Sequence, residues 1–333
     1  MAPASTARPM ALRHKAETDP AHGCDPYQRP IAQHLRLGCV NLDKPAGPTS
    51  HQVVAWLKEA LELEKAGHGG TLDPNVTGVL PVALSDATRI VKTLLEAPKE
   101  YVSVVELHGD VPEGKFRDTI KLFQGPVYQI PPLKSAVKRE LRIRHIYELE
   151  ILEVKGRTAL FRVSCEAGTY IRKLCTDIGT IAGAGAHMQA LRRTKTGPFR
   201  EATSVTLHDL RDAYVFWREG GDESWLREAV RPVEELVGHL PRVVIRDSAV
   251  DALCHGADLA VPGVVEVQQD LKNGELAAVF TLKGELVAVG RARMASQEAV
   301  TADRGIALKT MRVVMEPGTY PKGWGAAQTE FRG

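Results

Sequence analysis

The sequence predicts an α+β protein made of a larger mixed domain and a small β-barrel. Three observations carry that expectation. At 333 residues the chain exceeds what one hydrophobic core comfortably serves, so it should divide in two. Residues Tyr101 to Cys165 read mainly as strands, and the period then changes to that of a helix. Beyond Pro241 the chain reads almost wholly as short strands, which suits a small barrel.

Residues 1–30, rich in Ala, Pro, His and charge, read as an extension. "CVNLDKPAGPTS" reads as a short strand and a loop, after which Thr49 or Ser50 caps a helix. Val54, Leu57 and Leu61 give that helix its apolar stripe, with Val53 and Ala60 beside them. A glycine-rich loop, "GHGGTLDPNVTG", runs from Gly67 to Gly78 and precedes a helix expected near Asp86 to Leu95. In "RIRHIYELEI" strict alternation puts Ile143, Tyr147, Leu149 and Ile151 on one face with His145. Ala159, Phe161, Val163 and Cys165 share a face of the next strand. Ile171, Leu174, Cys175 and Ile178 then follow i, i+3, i+4, i+7, with Arg172 in the first turn and off the stripe. An apolar helical segment spans Val230 to Leu240, and Lys283-Gly284 signals a two-residue hairpin. These elements divide the chain into an extension (1–30), a large domain (31–240), a small domain (241–325) and a tail (326–333).

The hydrophobic and charged fractions, 44% and 25%, are those of a globular protein, so disorder is expected only at the ends. Net charge is only +2, but the charges are segregated. Lys134 to Arg144 carries five cations against Glu140 alone, and His187 to Arg200 carries Arg192, Arg193, Lys195 and Arg200 against no acid. Asp209 to Glu235 holds eight acids and four arginines. Two basic runs favour nucleic acid over a merely solvated face. Five cysteines without a Cys-x-x-Cys pair suit a reducing compartment. No apolar run resembles a signal peptide or a membrane span, so a cytoplasmic protein is expected.

Several chemistries are excluded by their missing motifs. There is no P-loop, no G-x-S-x-G and no H-E-x-x-H, and no Cys/His spacing suggests zinc. Gly183 and Gly185 begin a G-x-G, but Met188 stands where a dinucleotide fingerprint needs its third glycine. What remains is Asp73, a lone acid between Leu72 and Pro74 in the glycine-rich loop. Asp-Pro is ordinary turn chemistry, and taken alone it favours a structural turn. Tyr101 and Arg172 are possible partners, but spacing does not show that the three meet.

"NLDKPAGPTSHQVV", "GHGGTLDPNVTGVLPVAL", "KEYV", "GTYIRKL" and "LRRTKTGPF" together resemble the TruB/dyskerin family of pseudouridine synthases, in order from Gly38 to Phe199. "VIRDSAVDALCHGADLAVPGV" and "TLKGELVAVGRARM" resemble the PUA RNA-binding domain. "RPIAQHLRLGCVNLDKP" and the closing "TYPKGW" resemble the dyskerin branch rather than the bacterial tRNA branch. One departure is Gly69, where the family usually has Ser or Thr.

The resemblance implies a mainly antiparallel catalytic domain plus a PUA barrel, and isomerisation of uridine to pseudouridine. Asp73 would be the catalytic acid, either as a nucleophile at C1′ or as a base that leads to a glycal. Arg172 would keep that acid ionised in an apolar pocket and aim it. Tyr101 would stack on the target base and help remove the C5 proton. Tyr170 and Leu191 would line the pocket, His68 would touch RNA beside the flipped base, and Lys44 would support the loop or contact RNA. Arg192 and Arg193 would meet phosphate. Gly256, Pro262 and Gly263 would meet a guide RNA. The resemblance also implies a box H/ACA particle, in which a guide RNA pairs with the substrate RNA. Its other proteins are a small zinc-ribbon protein, a glycine–arginine-rich-type protein and a kink-turn-binding protein. Uridines of rRNA, or of tRNA, would be modified, with no metal, cofactor or membrane involved. A stand-alone tRNA enzyme is the alternative.

Overall fold

The computed structural model describes residues 9–131 and 138–322. Lys134 of the first basic run, Gly323 and Trp324 of the closing motif, and the tail 326–333 lie outside them. The chain groups into two units. One holds residues 40–83 and 91–229; the other holds residues up to 39, 84–90 and 230 onward. The helix Ile31–Arg36 belongs with the later residues, because the His34 Nε2 bonds with the Val230 carbonyl at 2.8 Å and Arg36 pairs with Glu316.

The larger unit is a mixed sheet covered by helices. Its strand order is Gly38–Lys44 (from residue 40 on), Thr77–Leu84 (to residue 83), Ala186–Thr196, Lys99–Leu107, Thr158–Cys165, Arg142–Lys155 and Gly125–Gln129. Most pairings are antiparallel; Thr77–Gly78 against Arg192–Arg193 is parallel. Ala159, Phe161, Val163 and Cys165 are buried as the alternation predicts. They pack with Val105 and with the buried stripe Ile171, Leu174, Cys175 and Ile178 of the helix Ile171–Ala182. Each such Leu or Ile side chain contributes about 1.5–3 kcal/mol by leaving water. The helix stops at Gly183, whose φ of +84° suits a residue without Cβ.

Three local expectations differ, each for an identifiable reason. In Arg142–Lys155 the register shifts at Ile146/Glu148 and Ile151/Glu153. Each extra residue slips the alternation by one, so Ile146 is buried while Ile143, His145 and Tyr147 face solvent. The helix expected near Asp86 to Leu95 is present as the 3-10 helix Ser85–Leu95. Near Val230, Pro232 lacks an N–H, and a strand residue pair gives way to the 3-10 turn Val233–Val237. The expected two-residue hairpin uses three residues, Leu282 to Gly284. The Gly284 N–H reaches the Thr281 carbonyl at 3.0 Å with Gly284 at φ +86°.

In the other unit seven strands run in the order Met10–Leu12, Val264–Gln268, Arg242–Ile245, Leu276–Phe280, Leu286–Ala292, Ile306–Val313 and Leu259–Ala260. Val243, Val267, Val279, Val287 and Leu308 fill its core together with Val250 and Leu253 of the helix Asp247–Cys254. The extension thus supplies a strand: Met10, Ala11 and Leu12 pair with Gln268, Val267 and Glu266.

Candidate active site

Asp73 sits in the loop between the short strand Ala66–His68 and the strand Thr77–Leu84, and the loop is clamped by its neighbours. Leu72 exchanges two hydrogen bonds with Ser50 Oγ: its N–H donates at 2.9 Å and its carbonyl accepts at 3.2 Å. Lys44 Nζ donates to the carbonyls of Pro45 and Pro74 at 2.8 Å and of Val76 at 2.9 Å. The Gly47 N–H reaches Pro74 at 3.0 Å, and the Val76 N–H closes a turn on the Asp73 carbonyl at 3.0 Å. From the other side, Arg193 Nη2 donates to the Gly70 carbonyl at 3.1 Å. Glycine is required where the backbones meet. A Cβ on Gly78 would lie 2.2 Å from the Arg193 carbonyl, and one on Gly69 would lie 2.6 Å from Leu94 Cδ1. Gly69 therefore lets the loop pack on Leu94.

The clamp presents the acid to Arg172. Arg172 Nη2 donates to Asp73 Oδ2, ninety-nine positions away in sequence. The helix that carries Arg172 is set in turn. Gln129, almost fully buried, accepts from the Tyr170 N–H at 2.9 Å and donates to its carbonyl at 3.2 Å. Tyr170 is the residue that precedes the first turn.

Asp73 and Arg172 are 57% and 51% exposed. The apolar burial expected for the acid is therefore not seen. An exposed ion pair is worth about 0–1 kcal/mol, so Arg172 contributes aim rather than stability. Tyr101 is half-buried on the central strand Lys99–Leu107, and it and Leu191 each pack against the core. Its phenol is pushed up by burial; Arg193 opposes this, while Cys165 and the Asp73 charge add to it. His68 is held below its ordinary range by burial, then by His51 and Arg193. Its ring meets that of His51 edge-on at 5.1 Å, and its Nδ1 has no hydrogen-bond partner among the described residues.

Three expected RNA contacts need correction. Lys44 is 0% exposed and its ammonium is saturated by three carbonyls, so it supports the loop and does not touch RNA. Arg193 is 1% exposed and bonds the carbonyls of Val79 and Gly70, so it is no phosphate contact. Arg192 is part-exposed, but Asp43 at 2.9 Å and Glu201 already hold its guanidinium. A run of cations in sequence gives charge, and only the pleat and the cross-strand neighbours decide which of them is buried. In the other unit Gly256 and Pro262 are exposed, and Gly256 has φ +89° with open space around it. Gly263 instead lets the backbone approach Ala249, whose Cβ would lie 2.9 Å from an added Cβ.

Sequence reasoning missed Ser50 and Gln129 as positioning groups. By sequence Ser50 is only a candidate cap, whereas Thr49 caps that helix through a capping box with Gln52. Among the described residues no group of His, Cys, Asp and Glu is arranged to hold a metal ion, and no helix is long and apolar enough to cross a membrane.

Comparison with known proteins gives this geometry a family. Residues 58–171 match the N-terminal domain of the TruB family pseudouridylate synthases, and 172–238 match the C-terminal domain of tRNA pseudouridylate synthase B. Residues 241–314 match the PUA domain and 5–54 the DKCLD domain. A probable tRNA pseudouridine synthase B of Methanopyrus kandleri is 59% identical over 96% of this chain and 94% of its own. That of Pyrococcus horikoshii is 56% identical over 97% and 98%. Among solved structures, a chain from a Cbf5-Nop10-Gar1 complex is 56% identical with a TM-score of 0.92, covering 95% of this chain and 96% of that one. A chain from an H/ACA RNP bound to a substrate RNA containing 2′-deoxyuridine is 53% identical with a TM-score of 0.90, covering 95% and 98%. With its Asp73 loop, Arg172 helix and PUA segment in the family's order over nearly the whole length, the chain belongs to the TruB family of pseudouridylate synthases.

Proposed function

We propose that this enzyme isomerises uridines in RNA as the catalytic subunit of a box H/ACA guide ribonucleoprotein, with Asp73 as its catalytic acid. The observation that carries the proposal is the likeness, at 53% identity and over 95% of the chain, to the protein of an H/ACA RNP bound to substrate RNA. By the same likeness its companions are a guide RNA and proteins of the Nop10 and Gar1 kinds. The zinc-ribbon and glycine–arginine-rich-type partners implied by the sequence are of this sort, and a kink-turn-binding protein completes the set. The substrate is rRNA in the guided reaction. Five free thiols, four of them buried, suit the reducing environment of a cytoplasm.

The reaction breaks the N1–C1′ bond, turns the uracil, forms a C5–C1′ bond, loses the C5 proton and gains one at N1. It is an isomerisation and consumes no co-reactant. The Asp73 carboxylate suits either attack on C1′ or removal of a ribose proton, and Arg172 aims it. Tyr101 offers an aromatic face to the extruded base, which offsets part of the lost base stacking. We assign Tyr170, Leu191 and His68 to the same RNA-facing surface, as the family motifs imply. Exposed Gly256 and Pro262, with Gly263 beside them, mark the turns offered to guide RNA.

The name of the curated relatives favours a second reading, a stand-alone tRNA enzyme. One experiment separates the two. Substrate RNA tritiated at uridine C5 releases its label to water when C5 bonds to C1′. The assembled particle should release label from the uridine opposite the guide pocket, and from another uridine when the guide's pairing nucleotides are changed. Modification that ignores the guide and occurs on tRNA with the protein alone overturns the guided reading. Asp73→Asn should abolish release while RNA binding persists, and wild-type release by this variant refutes the assignment of Asp73.

A further inference from the structure

The helices Leu207–Gly220 and Ser224–Ala229 pack as a pair, and Gly221, at φ +74°, ends the first of them. Leu210, Ala213 and Tyr214 of the first helix and Leu226 and Ala229 of the second are buried. Two large aromatic side chains are not. Phe216 is 53% exposed and Trp225 is 56% exposed, and their rings meet edge-on at 5.0 Å. A single exposed apolar side chain is ordinary, but two aromatic rings held against each other in water form a face. Carboxylates flank it. Asp212, Phe216 and Glu219 follow i, i+4, i+7 and so share one side of their helix, and Glu228 follows Trp225 at i+3. All three acids are exposed, and among the described residues no cation lies within ion-pair distance of them. The arginines of this segment are engaged elsewhere. Arg211 donates to the Ala60 carbonyl at 2.8 Å, Arg218 pairs with Glu62 at 3.8 Å, and Arg227 donates to Glu223 at 2.9 Å.

We propose that the Phe216–Trp225 face is a docking site for an arginine-bearing segment of a partner protein, with a guanidinium on the rings and its N–H groups on the flanking carboxylates. Charge complementarity selects the occupant. The phosphates of an RNA would be repelled by Asp212, Glu219 and Glu228, so this face is unsuited to nucleic acid. A cation is drawn by both halves of the face, by the rings through their quadrupole and by the acids through their charge. Arginine fits better than lysine, because a planar guanidinium stacks flat on a ring while its fork bonds a carboxylate, whereas an ammonium stays strongly hydrated. The chain makes such a contact within itself nearby. The Arg218 guanidinium lies over the Trp217 ring at 5.7 Å and pairs with Glu62 at the same time. Phe216 and Trp225 with their three acids offer the same two kinds of group to solvent. The inference does not depend on the catalytic reading of Asp73.

The test titrates the full chain with a synthetic peptide in which arginines alternate with serines, followed by calorimetry. The double variant Phe216→Ser, Trp225→Ser should bind it about tenfold more weakly or worse, and Trp225→Leu, which keeps apolar bulk but loses the π face, about two- to fivefold more weakly. Asp212→Asn with Glu219→Gln should weaken binding at low salt and matter less at high salt. A peptide with lysine for arginine should bind more weakly than its arginine counterpart. Equal affinity of the parent and the double variant, or of the two peptides, overturns the proposal. A single-stranded oligouridylate that binds the parent and loses affinity in the same double variant assigns the face to RNA and also overturns it. Self-association of the parent in sedimentation, abolished by the double variant, assigns the face to a second copy of the chain, with the same consequence. Both rings are more than half exposed, so melting curves of the variants should stay close to that of the parent. Loss of folding in the double variant and in Trp225→Leu makes the rings a structural clasp and overturns the docking role.

Discussion

Replacing Lys44 by Met tests how the Asp73 loop is held. The two side chains have similar length, so the change removes the ammonium and little else. Lys44 Nζ serves the carbonyls of Pro45, Pro74 and Val76 at full burial. Pro74 keeps the Gly47 N–H at 3.0 Å, so the carbonyls of Pro45 and Val76 bear the loss. A buried carbonyl deprived of its donor costs about 1–3 kcal/mol, which sets an upper range of about 2–6 kcal/mol for two. Part is returned, because the ammonium no longer has to be desolvated; burial holds its pKa below the ordinary lysine value. A net loss of about 2–4 kcal/mol is expected in urea unfolding at neutral pH. Turnover should fall further than occupancy alone explains, since Asp73 adjoins the Pro74 carbonyl that Lys44 holds. A variant within about 0.5 kcal/mol of the parent and with full kcat would refute the clamp, since that is the range of ordinary surface changes.

Three further outcomes follow from the same geometry. Arg172→Lys should leave stability nearly unchanged, because the ion pair is exposed, yet lower kcat by about tenfold or more, because an ammonium does not aim a carboxylate as a planar fork does; unchanged kcat would make Arg172 a surface charge. Lys99, pushed down to about 8 by burial and then by Arg193, gives up its proton in the folded chain before the unfolded chain does near 10.5. The unfolded state then binds more protons, so stability should rise between pH 8 and 10.5 relative to Lys99→Met, by roughly 3 kcal/mol at most; parallel pH profiles of the two proteins would contradict this. His68 shows the same sign on the acid side: its folded pKa is lowered, so its contribution is complete above pH 6.5 and lost as pH falls below it, and His68→Gln should flatten that slope in thermal melts.

The sequence by itself determined the periodic elements and the family. Ala159, Phe161, Val163 and Cys165 alternate, and Ile171, Leu174, Cys175 and Ile178 recur at helical spacing, because burial on one face imposes those periods directly. The ordered motifs around Asp73, Tyr101 and Arg172 were legible for the same reason that any motif is, being short stretches of local chemistry. Only the tertiary structure decided what those residues meet. Asp73 and Arg172 lie ninety-nine positions apart, and nothing in either stretch encodes the distance between them. Adjacent arginines 192 and 193 look alike in sequence, yet one faces two carboxylates and the other is buried against carbonyls, because neighbours on a strand point to opposite faces. Ser50 and Gln129 act on backbone groups 22 and 41 residues away, and such contacts leave no local pattern. The bulges that turned Ile143 and Tyr147 outward were equally hidden, since a one-residue slip depends on the partner strand and not on the strand itself.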